Sequence, residues 1–229
     1  SRVPMSTPNE VAINEVARVL RAQGNVVALS GEGADELFGG YDLTLAAAHT
    51  LHANGKATLA RAAAAELASS AWIPPEMLAQ VLREDALNAD GGERSTLDAY
   101  EREFRAAGYD QEQEPLRAHL RVQRRVNLSG LLLRLDSATM LASVEGRTPF
   151  ADAHVAAHAE SLPMSEKFDP AHREGESARD RAARTKLCLR RAFRAELPEE
   201  IVTRAKASFP LPFQEWIADA EVIEPLLAS

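Results

Sequence analysis

The sequence predicts an α/β fold, mostly α-helical, that contains a remnant of a parallel sheet. Residues 26–29 form an apolar run that suits a strand buried on both faces, a glycine-bracketed acidic turn follows directly, and apolar residues elsewhere recur at helical spacing. We find no second convincing strand in the 229 residues. Because one strand cannot satisfy its own backbone hydrogen bonds, we expect its partner strands to lie outside this chain, most simply upstream.

The first helix is predicted from its start and end signals. Thr7 is placed to cap it, Pro8 takes the first helical position, and Glu10 can bond back to the cap. Gly24-Asn25 ends this helix and leads into the strand, and a second helix follows the acidic turn. This helix-strand-helix order is typical of an α/β layer.

The rest of the chain divides into three regions. Residues 46–164 are predicted to form a helical region, and residues 184–229 to form C-terminal helices with a loop that carries Lys206. Residues 165–183 have many charged and few large apolar side chains, so they should bury little and form a mobile loop. Individual helices are predicted at 74–82, 95–107, 112–128, 130–143, 154–161 and 185–196, and a short helix holds Trp216.

Composition excludes several classes of partner. The formal charge of −8 would repel the phosphate backbone, so we expect no nucleic-acid partner. No apolar run approaches the ~18 residues that a spanning helix needs, so we expect no membrane segment. A single cysteine, Cys188, rules out an internal disulfide and fits a reducing cytoplasm.

The turn after the strand is the part of the sequence best suited to chemistry. Ser30-Gly31 follows the strand directly, where open α/β sheets bind their ligands. Glu32, Asp35 and Glu36 put three carboxylates within one turn, and magnesium on a polyphosphate would relieve their repulsion. The alternative from spacing alone is an acidic helix N-terminus after an ordinary loop.

Residues 30–41, Ser-Gly-Glu-Gly-Ala-Asp-Glu-Leu-Phe-Gly-Gly-Tyr, resemble the signature of the synthetase domain of glutamine-hydrolysing asparagine synthetases. Further motifs agree with that family in order and spacing. They lie at residues 134–140, 144–152, 186–190 with Leu197-Pro198, and 204–216. The resemblance covers about residues 3 to 217 and implies an adenine nucleotide alpha hydrolase-like domain, with residues 1–45 as its nucleotide-binding strand-loop-helix unit.

The resemblance also implies a two-step reaction. ATP adenylates the side-chain carboxylate of aspartate, and ammonia then displaces AMP to give asparagine. In that scheme Ser30 and Gly31 contact the nucleotide through their backbone, Glu32 works near the acyl-adenylate, and Lys206 lies against the phosphates. Asp35 would hold Mg²⁺.

Three further residues have two interpretations. Asp136, Glu145 and Arg147 could position the amino-acid substrate. A carboxylate-guanidinium pair that holds two helices in register is the commoner explanation for Glu145 and Arg147.

Three other groups of side chains are interpreted as structural. The arginines at 117, 121, 124 and 125 follow Glu112 and Glu114, which favours a solvated face over a phosphate groove. His154 and His158 have the spacing of a metal pair but no third ligand pattern nearby. Cys188 lies among large apolar residues and is predicted to be a core thiol.

The chain also departs from the family's pattern. The glutaminase domain that releases ammonia and the Ser-Gly-Gly-x-Asp-Ser pyrophosphate loop are both missing from these residues. We therefore expect ammonia to come from a domain not present in this chain, and we expect the chain alone to be inactive. A homodimer remains open.

Two alternatives to asparagine formation remain. Glu32 stands where β-lactam synthetase relatives tend to have tyrosine, which favours ammonia as the acceptor, but lasso-peptide cyclases and other amide-forming relatives can keep the glutamate. The second alternative is a non-catalytic helical module that binds a partner. Retention of Glu32, Asp35 and Lys206 together favours an enzyme.

Overall fold

The computed structural model describes residues 9–70, 92–171, 175–204 and 206. The predicted Thr7 cap, the helix at 74–82 and the Trp216 segment lie outside the described residues. Two compact units divide the chain: unit 1 comprises Ser1–Ser30, Leu131–Thr148 and Lys206–Ser229, and unit 2 comprises Gly31–Gly130 and Pro149–Ala205. Within the described ranges, no helix is both long and apolar enough to cross a membrane.

The described structure is mostly helical, with one small parallel sheet. The strands are β1 (Val27–Leu29) and β2 (Glu145–Arg147). A π-helix spans Arg124–Leu128. The helices are α1 (Asn9–Ala22), α2 (Ala34–Phe38), α3 (Asp42–Ala53), α4 (Leu59–Ser70), α5 (Gly92–Ala106), α6 (Pro115–Gln123), α7 (Ser129–Met140), α8 (Ala153–Ser161), α9 (Ala178–Ala183), α10 (Leu187–Ala192) and α11 (Glu199–Thr203).

Unit 1 contains the sheet. β1 and β2 pair in parallel with Val27 opposite Glu145 and Leu29 opposite Arg147. The prediction that this chain holds no second strand is therefore wrong. The reason is that Glu145-Gly146-Arg147 is three residues long and polar at both ends, so it has neither the length nor the alternation that indicates a strand.

The burial predicted for β1 is also wrong. Leu29 is 76% exposed, and Val26 and Val27 are exposed as well. Two three-residue strands form too small a sheet to be covered on both faces as a larger parallel sheet is. Other large apolar side chains of unit 1 are exposed too: Val11, Val16, Val19, Leu133, Met140 and Leu141.

Unit 2 is a helical assembly with a layered core. One buried cluster joins α3 to α6 and to Met164 and Phe168, and a second joins α4 to α5 and α6. A buried polar group connects the same helices: Glu66 accepts a hydrogen bond of 2.9 Å from the Gln123 amide and lies 3.0 Å from His119 Nδ1. These contacts fix the helical frame on which the acidic turn is mounted.

The helix predicted at 112–128 begins later and changes its winding. Pro115 occupies its first turn, which a proline tolerates because its missing N–H would have no partner there. The last five residues form the π-helix. Charges of this region are paired: Arg121 contacts Glu112 and Glu160, and Arg125 contacts Glu103. This pairing supports a structural role for the arginines, but the predicted solvated face is wrong at Arg117, Arg121 and Arg124, which are half-buried.

The described residues of segment 165–183 include buried side chains and a helix that its composition does not indicate. Lys167 and Phe168 are 2% and 4% exposed, and α9 begins at a capping box formed by Ser177 and Asp180. The prediction that the segment buries little is wrong at these residues. Charged side chains there are compatible with packing because they find partners, such as Glu176 with Arg184. Mobility of the segment stays a prediction.

Candidate functional site

The acidic turn is held in place by a glycine and an aromatic pair. Gly33 precedes α2 with a φ of 97°, and a Cβ there would lie 3.3 Å from the backbone of Phe150 and Ala151. Only glycine fits that close approach without strain. Phe38, at the end of α2, packs edge-on against Phe150 with ring centroids 6.0 Å apart. By contrast, a Cβ on Gly31 would meet nothing within 4 Å, so the turn is open at that point.

The three carboxylates of the turn do not form one cluster. Glu36 is 1% exposed and accepts a hydrogen bond from the Tyr41 hydroxyl. Burial raises the pKa of Glu36, and the Tyr41 bond opposes that rise. Burial also raises the pKa of Tyr41, with the nearby Glu36 carboxylate adding to the effect. Glu36 is therefore a core group of unit 2, and counting it with the ligand-facing acids was wrong.

Asp35 forms an ion pair with Lys186. The distance from Asp35 Oδ1 to Lys186 Nζ is 3.0 Å, and the two side chains are about one quarter exposed, at 25% and 27%. Lys186 has a φ of 52°, the left-handed region that side-chain-bearing residues rarely adopt. A Cβ on Gly40 would overlap Asp35 Oδ1 and come within 2.5 Å of Lys186 Cε, so the pair depends on Gly40.

The sequence indicates Lys186 only as part of the motif at residues 186–190, and its contact with Asp35 is not predicted. The two residues are far apart in the chain, and no local pattern joins them. The signal that could have indicated the contact is the opposite charge of Asp35, in the motif at residues 30–41, and Lys186, in the motif at residues 186–190.

The remaining predicted residues of the turn differ in what they can offer. Glu32 is half-buried and lies in unit 2 with Asp35. Ser30 belongs to unit 1, and its backbone N–H donates to the Arg147 carbonyl at 2.7 Å. A ligand that accepted from the Ser30 N–H would compete with that bond.

The predicted substrate residues are all exposed side chains of unit 1. Asp136 lies on α7, while Glu145 and Arg147 flank Gly146 on β2. Arg147 Nε donates to Glu145 Oε1 at 3.1 Å, and this bond is the main cause of the raised pKa of Arg147. The interpretation of this pair as a clamp between two helices is wrong, because both residues lie on the same strand. Lys206 is exposed and also belongs to unit 1.

Other candidates from the sequence have structural surroundings. Asp152 caps α8 by accepting a hydrogen bond of 2.7 Å from the His154 backbone N–H. Cys188 packs against a buried cluster of Leu37, Phe38 and Ala159, and burial raises the pKa of its thiol. Among the described residues, no three His, Cys, Asp or Glu side chains converge to hold a metal ion. Magnesium commonly binds one or two carboxylates together with phosphate oxygens, and a single carboxylate such as that of Asp35 fits this mode.

These residues define a mostly helical α/β protein with a small parallel sheet and an acidic turn packed on a helical core. The chain belongs to the asparagine synthase family, whose model matches residues 1–228. The predicted family is thereby confirmed.

Named relatives agree with the family. The chain is 30% identical over 251 residues to proteins of Mycobacterium bovis and Mycobacterium tuberculosis that are provisionally named glutamine-hydrolysing asparagine synthetases. It is 26% identical over 239 residues to an asparagine synthetase of the same kind from Bacillus subtilis. These alignments cover 96% and 93% of the chain but 35% of each relative. The chain thus spans about a third of the length of these relatives. No solved structure matches it.

Proposed function

We propose that this chain carries part of the ATP-dependent amide-forming site of an asparagine synthetase with an adenine nucleotide alpha hydrolase-like fold. In the proposed reaction the side-chain carboxylate of aspartate attacks the α-phosphate of ATP and releases pyrophosphate. Ammonia then attacks the acyl-adenylate, and AMP leaves. The observation that carries the proposal is the acidic turn, in which Glu32 and Asp35 stay partly exposed while Glu36 is buried.

Glu32 is proposed to take the proton that the attacking ammonia must lose. Its position supports this role, because it is half-buried next to the open backbone at Gly31. A carboxylate that accepts a proton as the tetrahedral species forms can lower the barrier by general-base catalysis. Ser30 and Gly31 are proposed to contact the nucleotide through their backbone.

Asp35 is the residue proposed to hold Mg²⁺, and its single carboxylate fits a site that phosphate oxygens would complete. When bound, the ion would neutralise charge on the phosphates as pyrophosphate leaves. Lys206 is proposed to offset the same developing charge from the C-terminal loop.

Recognition of the amino acid is proposed to involve unit 1. Asp136, Glu145 and Arg147 present two carboxylates and one guanidinium on exposed positions. An α-amino acid carries an ammonium and a carboxylate, which are the complementary groups. We propose these three residues as candidate contacts for aspartate.

Ammonia is proposed to come from a glutaminase domain outside these residues, so the chain alone should make no asparagine from glutamine. The proposal places the reaction in the cytoplasm, where its substrates are found. Nucleic acid has no part in it, and a homodimer is compatible with it.

The test uses the complete protein that contains this chain and compares Glu32→Gln with Glu196→Gln, an exposed control. We expect Glu32→Gln to reduce asparagine formation from ammonia by at least about a hundredfold, because general-base catalysis is worth that much. Aspartate-dependent exchange of pyrophosphate into ATP should persist, since it precedes proton removal. Equal asparagine formation by the two variants would remove Glu32 from the mechanism.

The identity of the carboxylic acid that is adenylated is tested in the pyrophosphate exchange assay. Replacing aspartate by other carboxylic acids in the pyrophosphate exchange reaction measures which acid is adenylated. Exchange with aspartate supports asparagine formation. Exchange that ignores aspartate and responds to a larger carboxylic acid would favour a β-lactam synthetase-like or lasso-peptide cyclase-like reaction.

A further inference from the structure

The ion pair between Asp35 and Lys186 depends on two separate conformational features. Lys186 takes a left-handed backbone conformation, and in that conformation its ammonium lies 3.0 Å from Asp35 Oδ1. Gly40 leaves the space that the two side chains occupy. A left-handed conformation costs a non-glycine residue free energy, so surrounding contacts must hold Lys186 in it.

The surroundings do hold Lys186. It precedes α10, and the backbone N–H of Arg190 donates to its carbonyl at 3.0 Å. The next residue, Leu187, donates its N–H to the carbonyl of buried Lys167 at 3.1 Å. The ammonium is therefore delivered to Asp35 by a fixed backbone and not by a freely rotating surface lysine.

We propose that Lys186 is a positioning residue that keeps Asp35 from binding a divalent cation on its own, so that the cation occupies Asp35 only together with a polyphosphate. This inference rests on the proposed function, in which Asp35 is the metal-binding carboxylate. The Lys186 ammonium contacts one oxygen of the Asp35 carboxylate and offsets the negative charge that would attract a free cation.

The physical balance explains why a polyphosphate changes the outcome. A hydrated Mg²⁺ ion loses water reluctantly and gains little from one carboxylate that is already paired. A polyphosphate supplies several oxygen ligands and the negative charge that the paired carboxylate lacks. The device would prevent the site from filling with metal before the nucleotide arrives.

The experiment measures binding of free Mn²⁺, with and without ATP, to the complete protein by electron paramagnetic resonance. The test variant is Lys186→Met, which keeps the length and the backbone conformation cost of the side chain but removes its charge. Lys186→Arg restores a cation. The matched control is Arg181→Met, which breaks a similarly exposed ion pair of the same unit, Arg181 with Asp42 at 3.4 Å. Lys186→Gln replaces Lys186→Met if the latter does not fold.

We expect the Kd of free Mn²⁺ to fall about threefold to fivefold in Lys186→Met, as loss of a partly exposed ion pair allows. Lys186→Arg and Arg181→Met should match the unmodified protein. An unchanged Kd in Lys186→Met, with Mn²⁺ still binding alongside ATP, would overturn this inference and leave the proposed function standing. Absence of Mn²⁺ binding with ATP in every form would overturn both.

Discussion

Helix α2 has two faces, and its two adjacent acids lie in opposite environments. Asp35 is partly exposed and pairs with a lysine, whereas Glu36 is buried and bonds to the Tyr41 hydroxyl. Successive helical residues point about 100° apart, so one step along the chain moves a carboxylate from solvent into the core. The comparison teaches that a run of acids is not a site. The acids that can meet a ligand are those that the core leaves outside.

We expect the largest loss of stability from a substitution on the buried face of α2. Phe38 is 4% exposed and packs against Phe150, so Phe38→Ala should lower the free energy of unfolding by about 3–4 kcal/mol. Leu43→Ala, which truncates a side chain that is 67% exposed, should change it by less than about 0.5 kcal/mol. Urea denaturation of the complete protein measures both values. Similar losses in the two variants would contradict the assignment of Phe38 to the core.

The buried acid should give stability a distinctive pH dependence. The pKa of Glu36 is raised in the folded state above its ordinary value of 4.5, so the folded protein favours the protonated carboxyl. Stability is therefore lost as the pH rises from 4.5 through the folded-state pKa, because the buried carboxyl must then ionise. Glu36→Gln keeps an acceptor for the Tyr41 hydroxyl and cannot ionise. We expect the variant to gain stability relative to the unmodified protein as pH rises, because the variant has no buried carboxyl to ionise.

The measurement is the thermal midpoint of both proteins between pH 4 and pH 8, roughly the range over which a buried carboxyl titrates. Parallel curves would show that Glu36 titrates alike in the folded and unfolded states. A growing stabilisation of the variant with pH confirms the buried face.

The sequence predicted the turn well because its determinants are contiguous. The strand, the glycines and the following helix lie within residues 26–40, and each is a local signal. The helices were predictable for the same reason: spacing predicted helices at 95–107, 130–143 and 154–161, and α5, α7 and α8 confirm them apart from a few end residues.

Features that depend on distant residues could not be predicted in this way. β2 is polar and short, and its pairing with β1 joins residues more than a hundred positions apart. The contact between Lys186 and Asp35 is equally remote in sequence. The burial of Glu36 was hidden because one acid in a motif resembles another until packing separates them. The roles of Ser30, Glu32 and Lys206 remain predictions.

A change on the exposed face of α2 should affect the proposed reaction more than the stability of the fold. Asp35→Asn removes one partner of a partly exposed ion pair, so the free energy of unfolding should change by less than about 1 kcal/mol, far below the effect of Phe38→Ala. Its effect on the proposed reaction should be large, with aspartate-dependent pyrophosphate exchange reduced at least about tenfold, because a metal ligand is lost. Asp42→Asn is the matched control, since Asp42 pairs with Arg181 at similar exposure in the same unit. It should match Asp35→Asn in stability and the unmodified protein in exchange. If both variants exchange pyrophosphate at the unmodified rate, Asp35 is a structural acid, and both faces of α2 serve the fold.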